Sequence, residues 1–311
     1  MKYTYGPVPS RRLGISLGVD LVPKKVCTYN CIYCQIGRTT LQTIERQEYF
    51  PAQAILHDVK EAIKEWGDDV DYIAISGSGE PTLNLKIGEV IQGIKGLTSC
   101  PLAVITNGSL LCLEEVRRDL LLADVVMPSL DAVTPHVFRT VNRPHSSLEI
   151  KEVIQGLADF RREYRGQIWL EVLLCRGVND GPGEIKRLKE VIRTIQPDKV
   201  QLNTVVRPSV EDYAFPLTPS KMERIKAALG NGAEIIAEFE GHGHKIPWEN
   251  LEEKVIRLIQ RRPVTPDDLS KTLGVHDLEV TKILDKLTKE GAIKYRVFNQ
   301  RLYYEVANRV S

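Results

Sequence analysis

What the chain lacks narrows its class first. No apolar run approaches the ~20 residues that a membrane-spanning helix requires; the longest are strand-sized. The opening segment, MKYTYGPVPSRRLG, has no apolar stretch of the secretory kind, so no export signal is expected. Neither sign of charge is in surplus. The 42 Lys and Arg stand against 41 Asp and Glu, a net of +1, so no global field advertises nucleic acid or an anionic membrane. Cysteine is sparse, six in 311 residues, which excludes a disulfide scaffold and fits a reducing, cytoplasmic location. What is present, 42% hydrophobic and 27% charged residues, is the composition of a soluble globular protein. The length suggests one large domain or two unequal ones.

Three of the six cysteines nevertheless fall within eight residues, in Cys27-Thr-Tyr-Asn-Cys31-Ile-Tyr-Cys34. They follow a strand-like run, 16–22, across the bridge Pro23-Lys24-Lys25-Val26. Three thiolates on one loop suggest a metal, and counting ligands bears on which. A structural zinc site needs four, usually as two separated Cys or His pairs. Here no His lies nearby and no second Cys pair follows. A cubane iron–sulfur cluster also takes four ligands, usually all Cys. With three, one iron is left open, which suits chemistry better than cross-linking. A zinc site and a plain group of reduced thiols are the alternatives.

The spacing Cys27-x3-Cys31-x2-Cys34, with aromatic Tyr33 just before the third Cys, resembles the radical S-adenosylmethionine (SAM) superfamily. The resemblance implies a [4Fe–4S] cluster on these cysteines, whose open iron chelates the amino and carboxylate groups of SAM. It implies reductive cleavage of SAM to a 5′-deoxyadenosyl radical, which abstracts hydrogen from a substrate. It also implies an external electron donor of the flavodoxin or ferredoxin type, and a reducing compartment.

Along the chain, strands at 16–22, 72–76, 102–106, 125–129, 168–174 and 199–203 alternate with helices. The helices fall at 51–66, 85–94, 113–122, 148–164, 183–195 and 218–229, and 235–239 is a candidate last strand. This alternation predicts an α/β fold with a parallel sheet. Runs such as AVIT and DVVM fit strands buried on both faces. Six strand–helix units are short of the eight of a closed barrel; they resemble the open, partial β/α barrel of radical SAM enzymes, here residues 1–245. The segment before it, Tyr5-Gly-Pro-Val-Pro-Ser-Arg-Arg-Leu-Gly14, is extended on account of its Pro and Gly. Its Arg11 and Arg12 are candidates for a carboxylate or phosphate, or for a surface salt bridge.

In such sheets ligands sit beyond the carboxyl ends of the strands, and polar signals cluster there. After the second strand comes Ser76-Gly-Ser-Gly-Glu80-Pro-Thr82, where two glycines allow close backbone approach and Glu80 is expected at the rim. Ser78-Gly79-Glu80-Pro81 resembles the family's Gly-Gly-Glu-Pro motif, which binds the SAM amino group largely through backbone carbonyls. After the third strand comes Asn107, and after the fourth Ser129-Leu-Asp131. That hydroxyl and carboxylate, two residues apart on an extended end, suit ribose hydroxyls. Each alone is equally a turn or cap residue; together they mark one face. Asn179 and Asp180 after the fifth strand, and Asn203 and Arg207 after the sixth, are expected to look into the barrel mouth. They are candidate contacts for substrate or the SAM carboxylate, with loop capping as the plain alternative. The loop of Arg139, Asn142, Arg143 and His145 is a candidate for an anionic substrate. Cys112 and Cys175 follow strands and are candidates to approach the same face, or small buried hydrophobes; Cys100 is structural.

Gly241-His-Gly-His244-Lys-Ile-Pro247 marks a boundary, with His242 and His244 read as solvated linker residues. Beyond it, 246–311 reads as three helices at 251–260, 265–273 and 277–290, then a hairpin of 292–298 and 301–306. This pattern resembles a winged helix-turn-helix domain with the third helix as reader. From Trp248 onward there are twelve Lys and Arg against ten Asp and Glu, a weak footprint for nucleic acid. Lys282, Lys286 and Lys289 share a helix face, and Lys294, Arg296 and Arg301 lie on the wing; an RNA or DNA patch and a solvated face are both open readings.

The segment from Tyr5 to Cys27 is similar, more narrowly, to Fe–S oxidoreductases grouped with the tRNA wyosine-base synthases. Those carry a second cluster on extra N-terminal cysteines, and this chain has no Cys before Cys27. Three expectations for function follow. One is a radical SAM enzyme acting on RNA held by the winged helix. A second is an enzyme modifying a peptide, taken as an added strand. The third is a non-enzymatic, cluster-bearing DNA-binding regulator.

Overall fold

The computed structural model describes residues 2–230, 232–236, 251–275 and 277–307. The expected boundary near 245, with His242 and His244, lies outside the described residues.

The chain opens with an antiparallel pair, β1 (Thr4–Ser10) and β2 (Gly14–Val19), and a short parallel pair, β3 (Val26–Cys27) and β4 (Leu41–Gln42), flanks the cysteine loop. Alternation then follows: α1 (Ala52–Trp66), β5 (Tyr72–Ile75), α2 (Ile87–Leu97), β6 (Leu102–Thr106), α3 (Glu114–Leu120) and β7 (Val125–Pro128). Two helices, α4 (Pro135–Val141) and α5 (Ile150–Glu163), precede β8 (Gln167–Leu174). The series closes with α6 (Pro182–Ile195), β9 (Lys199–Thr204), α7 (Pro219–Leu229) and β10 (Ala233–Ile235). The sheet has eight strands in the order β1-β2-β5-β6-β7-β8-β9-β10, parallel throughout except for β1. Strands 72–76 and 199–203 are thus found within a residue of expectation. The last strand, expected at 235–239, begins two residues earlier, at Ala233, and 237–239 lies outside the described residues.

The opening segment, expected only to be extended, is a strand. Pro7 and Pro9 exclude it from the middle of a sheet, but β1 is an edge, where a missing N–H is tolerated. The β1–β2 turn reaches far across the sheet: Arg11 donates to Asn203 on β9 at 3.2 Å and Arg12 pairs with Glu171 on β8. Such contacts between strands distant in the sheet order require the sheet to curl.

Strand periodicity builds two cores. Ile73, Ile75, Leu102, Val104, Val126, Ile168 and Leu170 face the helices, while Ala74, Ala103, Val125, Met127 and Trp169 face inward with Leu13. Both faces are buried, which is why the strands read as unbroken apolar runs. Helix α1 buries Ala52, Ile55, Val59 and Ala62, and α5 buries Ile150, Val153, Leu157 and Phe160, each one helical stripe.

The C-terminal segment forms α8 (Leu251–Arg261), α9 (Pro266–Leu273), α10 (Asp277–Lys289) and an antiparallel hairpin of β11 (Ile293–Phe298) and β12 (Arg301–Val306) around its own core. Thr265 and Asp268 make the expected capping box at α9, and Gly274 ends it in the left-handed conformation. No helix among the described residues is long and apolar enough to cross a membrane.

Packing sets the first expected outcome. Phe160→Ala, at a fully buried position stacked on Tyr164, is expected to lower the urea unfolding free energy by about 3–5 kcal/mol. Val297→Ala, 70% exposed, is expected to stay within about 0.5 kcal/mol of the parent.

Candidate functional site

The three loop cysteines are free thiols, half-buried at the carboxyl side of β2. Two backbone bonds tie their loop to the glycine motif: Lys25 N–H donates to the Ser78 carbonyl at 2.6 Å, and Glu80 N–H to the Val26 carbonyl at 3.0 Å. Gly79 permits this, because a Cβ there would run into the Val26 carbonyl. Gly77, at φ +130°, lies as tightly against Asp20, whose carboxylate accepts from Ser78 N–H at 2.9 Å.

Each sulfur has a side-chain donor aimed at it. The Asn107 amide lies 3.6 Å from Cys27 Sγ, the Asn142 amide 3.6 Å from Cys31 Sγ, and the Lys25 ammonium 3.1 Å from Cys34 Sγ. Burial pushes Cys27 up to about 11, with Glu80 adding to the shift, and burial with Asp131 raises Cys31 well above its usual value. Burial acts to lower Lys25, but the thiols of Cys34 and Cys27 more than offset this and hold it above its usual value. Buried thiols surrounded by donors suit a group that binds them as thiolates and spreads their charge. Among the described residues, no three Cys, His, Asp or Glu side chains gather as they would around one metal ion. A cubane attaches each thiolate to a different iron and does not require them to meet at a point, so the donor set fits a cluster better than zinc.

Several expected ligand residues are occupied elsewhere. Glu80 is not at the rim: it is 2% exposed. Its carboxylate accepts from Thr82 Oγ1 and Thr106 Oγ1 at 2.6 Å each, from Asn107 N–H at 2.7 Å and from Thr82 N–H at 3.1 Å. Burial raises its pKa against these four bonds. It pins the end of β5 to that of β6 and so places Asn107. Asp131 is likewise turned inward, accepting from the Tyr33 hydroxyl, from the Asn142 amide at 2.7 Å and from Leu173 N–H at 2.9 Å. Burial lifts it to about 6. Asn179 does not face the mouth: its amide bonds only backbone, at Cys175, Asp131 and Leu173. Asp180 is spent on Gly177 N–H and Lys221.

The remaining candidates lie as follows. Asn107 also donates to Thr28 Oγ1 at 2.7 Å. Ser129 sits at the end of β7, bridged to Glu171, and no bond of its hydroxyl is found among the described residues. Asn203 faces inward between Arg11 and Glu171. Arg207 pairs with Asp268 at 3.1 Å, and Arg143 with Glu211 at 2.7 Å and the Tyr213 hydroxyl at 2.6 Å. Cys175 is buried and Cys112 is exposed, its backbone packed on Gly156 of α5 away from the loop. Lys25, Asp20 and Thr28 went unnoticed in the sequence, since nothing in their spacing marks them.

A family model described as the Radical SAM superfamily matches residues 21–188, more than half of the chain. The chain belongs to the radical SAM superfamily. It is 32% identical over 313 residues to a UPF0026 protein of Methanocaldococcus jannaschii, covering 98% of this chain and 96% of that one. It is 35% identical over 308 residues to a Brachyspira hyodysenteriae protein named GTPase Obg, covering 98% of this chain but spanning only 45% of that protein. A dual-specificity RNA methyltransferase RlmN of Oleidesulfovibrio alaskensis is 27% identical over 215 residues, 65% of this chain and 57% of the other. A radical SAM methyltransferase structure from Sphaerobacter thermophilus shares the fold, with TM-score 0.54 and 18% identity over 71% of this chain and 66% of that one. The chain is therefore an enzyme, and its family's cofactors are a [4Fe–4S] cluster and SAM.

The close backbone approach gives a test. Gly79→Ala is expected to lower the thermal midpoint through overpacking of about 1–3 kcal/mol and to reduce the iron taken up per chain, measured by calorimetry and iron analysis. Unchanged stability and iron content would mean that the loop does not depend on this contact.

Proposed function

We propose that Cys27, Cys31 and Cys34 hold the [4Fe–4S] cluster and leave one iron to SAM. The observation that carries this is the side-chain N–H donor directed at each of the three sulfurs, from Asn107, Asn142 and Lys25. When bound, the reduced cluster and SAM together supply a 5′-deoxyadenosyl radical that takes hydrogen from a substrate. The residues of this chain bind and orient. Backbone at Ser78 and Gly79 lies against the cysteine loop, positioned for the SAM amino group. Ser129 keeps a hydroxyl available for the ribose, while Glu80 and Asp131 act as positioning residues, fixing Asn107 and the Tyr33–Asn142 pair. The electron comes from an external donor of the flavodoxin or ferredoxin type.

Residues 1–245 make up the radical SAM barrel and 246–311 a winged-helix domain in this reading. The substrate enters between them. A second reading, that the substrate is RNA, is supported by the relative named as an RNA methyltransferase and by exposed Lys282 and Lys289 on α10, while Lys286 between them pairs with Glu252 at 2.6 Å. Wing residues argue against a free wing: Lys294 pairs with Glu305, and Arg296 donates to the Ser209 carbonyl of the barrel at 3.3 Å. The tyrosine hydroxyl of Tyr303 likewise donates to the Val206 carbonyl at 2.8 Å. Nothing comparable favours a peptide substrate, and membership of an enzyme family sets the regulator reading aside.

Anaerobically reconstituted protein, given SAM and dithionite, is expected to release 5′-deoxyadenosine, and Cys31→Ala to release none. Equal release by the variant would overturn the assignment. Hydrogen bonds and positive charge at cluster sulfurs raise the reduction potential. Lys25→Met is therefore expected to shift the potential to more negative values in an electron paramagnetic resonance (EPR)-monitored redox titration. For the RNA reading, Lys282→Glu with Lys289→Glu is expected to weaken salt-sensitive RNA binding by the full chain; unaltered binding would count against it.

A further inference from the structure

A cavity of about 510 Å³ lies between the barrel and the C-terminal segment, in the size range of ligand sites. Six guanidiniums line it: Arg11 and Arg12 from the β1–β2 turn, Arg207 after β9, Arg261 and Arg262 from the end of α8, and Arg301 at the start of β12, which is engaged in an interaction of its own. Three of them have a carboxylate each. Arg12 pairs with Glu171, Arg207 with Asp268, and Arg261 with Asp20. Arg11 has only the neutral Asn203 carbonyl, at 3.2 Å, and no side-chain bond or ion pair of Arg262 is found among the described residues. Lys271, also at the cavity, is matched by Asp267 at 3.0 Å. Arg301 aside, the other five thus keep an excess of two positive charges.

Burial and the nearby Arg207 pull Arg11 down to about 10 and Arg262 to about 9, and the carboxylates of Glu171 and Asp268, each already paired with another arginine, offset this only in part. An unpaired, partly buried charge costs stability. A chain that keeps two of them in one cavity gains only if something anionic enters. Gly77, Ser78, Gln35 and Ile36 line the other end, beside the cysteine loop. A molecule held by the arginines therefore extends toward the proposed SAM site.

We infer that Arg11 and Arg262 form an anion subsite that takes the phosphate of a phosphorylated substrate, with the C-terminal segment supplying the wall that closes it. A phosphomonoester carries about −1.5 to −2 charge at pH 7, matching the excess where a single carboxylate would leave half of it. Guanidiniums also suit phosphate by their forked geometry. The term substrate rests on the radical SAM reading above; anion binding does not. The phosphate belongs either to a small molecule or to the end of a nucleic acid. The volume, that of a site for a small ligand, favours the small molecule.

The test is calorimetric titration of the full chain with inorganic phosphate, ribose 5-phosphate, ribose and a 5′-phosphorylated oligonucleotide. Phosphate and ribose 5-phosphate are expected to bind and ribose not. Arg262→Gln and Arg11→Gln are each expected to weaken ribose 5-phosphate about tenfold or more. Arg257→Gln, on the exposed face of α8 and paired with Glu253, is expected to change nothing. Unliganded Arg262→Gln is expected to be at least as stable as the parent, since it loses an unpaired charge; marked destabilisation would show a structural role and overturn the proposal. So would absent phosphate binding, or binding that survives both substitutions. Oligonucleotide binding that both substitutions abolish supports the subsite with a nucleic-acid source; binding by the oligonucleotide alone that they leave intact contradicts it. Release of 5′-deoxyadenosine by the parent protein is measured separately. Its absence alongside intact phosphate binding would remove the radical SAM assignment of the residues and leave the anion site standing.

Discussion

The structure depends on one close approach of backbone to backbone. Gly79 lies against the Val26 carbonyl, and the bonds from Lys25 N–H to Ser78 and from Glu80 N–H to Val26 hold it there. Buried Glu80, satisfied by four donors, makes that approach rigid by joining the ends of β5 and β6. Asn107 is held in the same arrangement and so is carried to Cys27. Hydrogen bonds to a buried carboxylate are strong, and leaving one unmade is expensive, so the polar residues at these strand ends behave as one unit.

This also explains where the sequence misleads. The polar residues at the strand ends do cluster on one face, as the spacing indicates, but many turn inward. Asp131 and Asn179 are consumed by Tyr33, Asn142 and backbone groups, because a loop packed near a buried cofactor site must satisfy its own donors before it can offer any. Strand and helix positions were legible from periodicity, and the α9 cap from Thr265 and Asp268. The role of β1 was not, since two prolines obscure an edge strand. Lys25 carried no signal either; it reaches Cys34 because the chain adopts φ +63° there, which spacing does not reveal. The arginine cavity was half legible. Arg11 and Arg12 stood out as candidates for an anion or for a salt bridge, but Arg262 joins them from some 250 residues away through tertiary packing.

The C-terminal segment gains a physical role from these contacts. Arg261 reaches Asp20 and Ser78 on one side of the curled sheet, and Asp268 and Tyr303 reach Arg207 and Val206 on the other. It spans the opening that an incomplete barrel leaves. Charge is arranged unevenly across that opening: paired where the segment docks, unpaired where the cavity is open. A hairpin engaged in docking has less surface to spend on a polymer, which is why a small substrate accords better with the geometry than a long one.

The central claim is that three cysteines hold a cubane cluster with one iron open to SAM. EPR of the anaerobically reconstituted, reduced protein, recorded with and without SAM, addresses it directly. The account predicts about four irons per chain and a cluster signal that shifts when SAM is added, as the open iron gains new ligands. A signal indifferent to SAM, or protein that binds zinc and no iron at these cysteines, would contradict it.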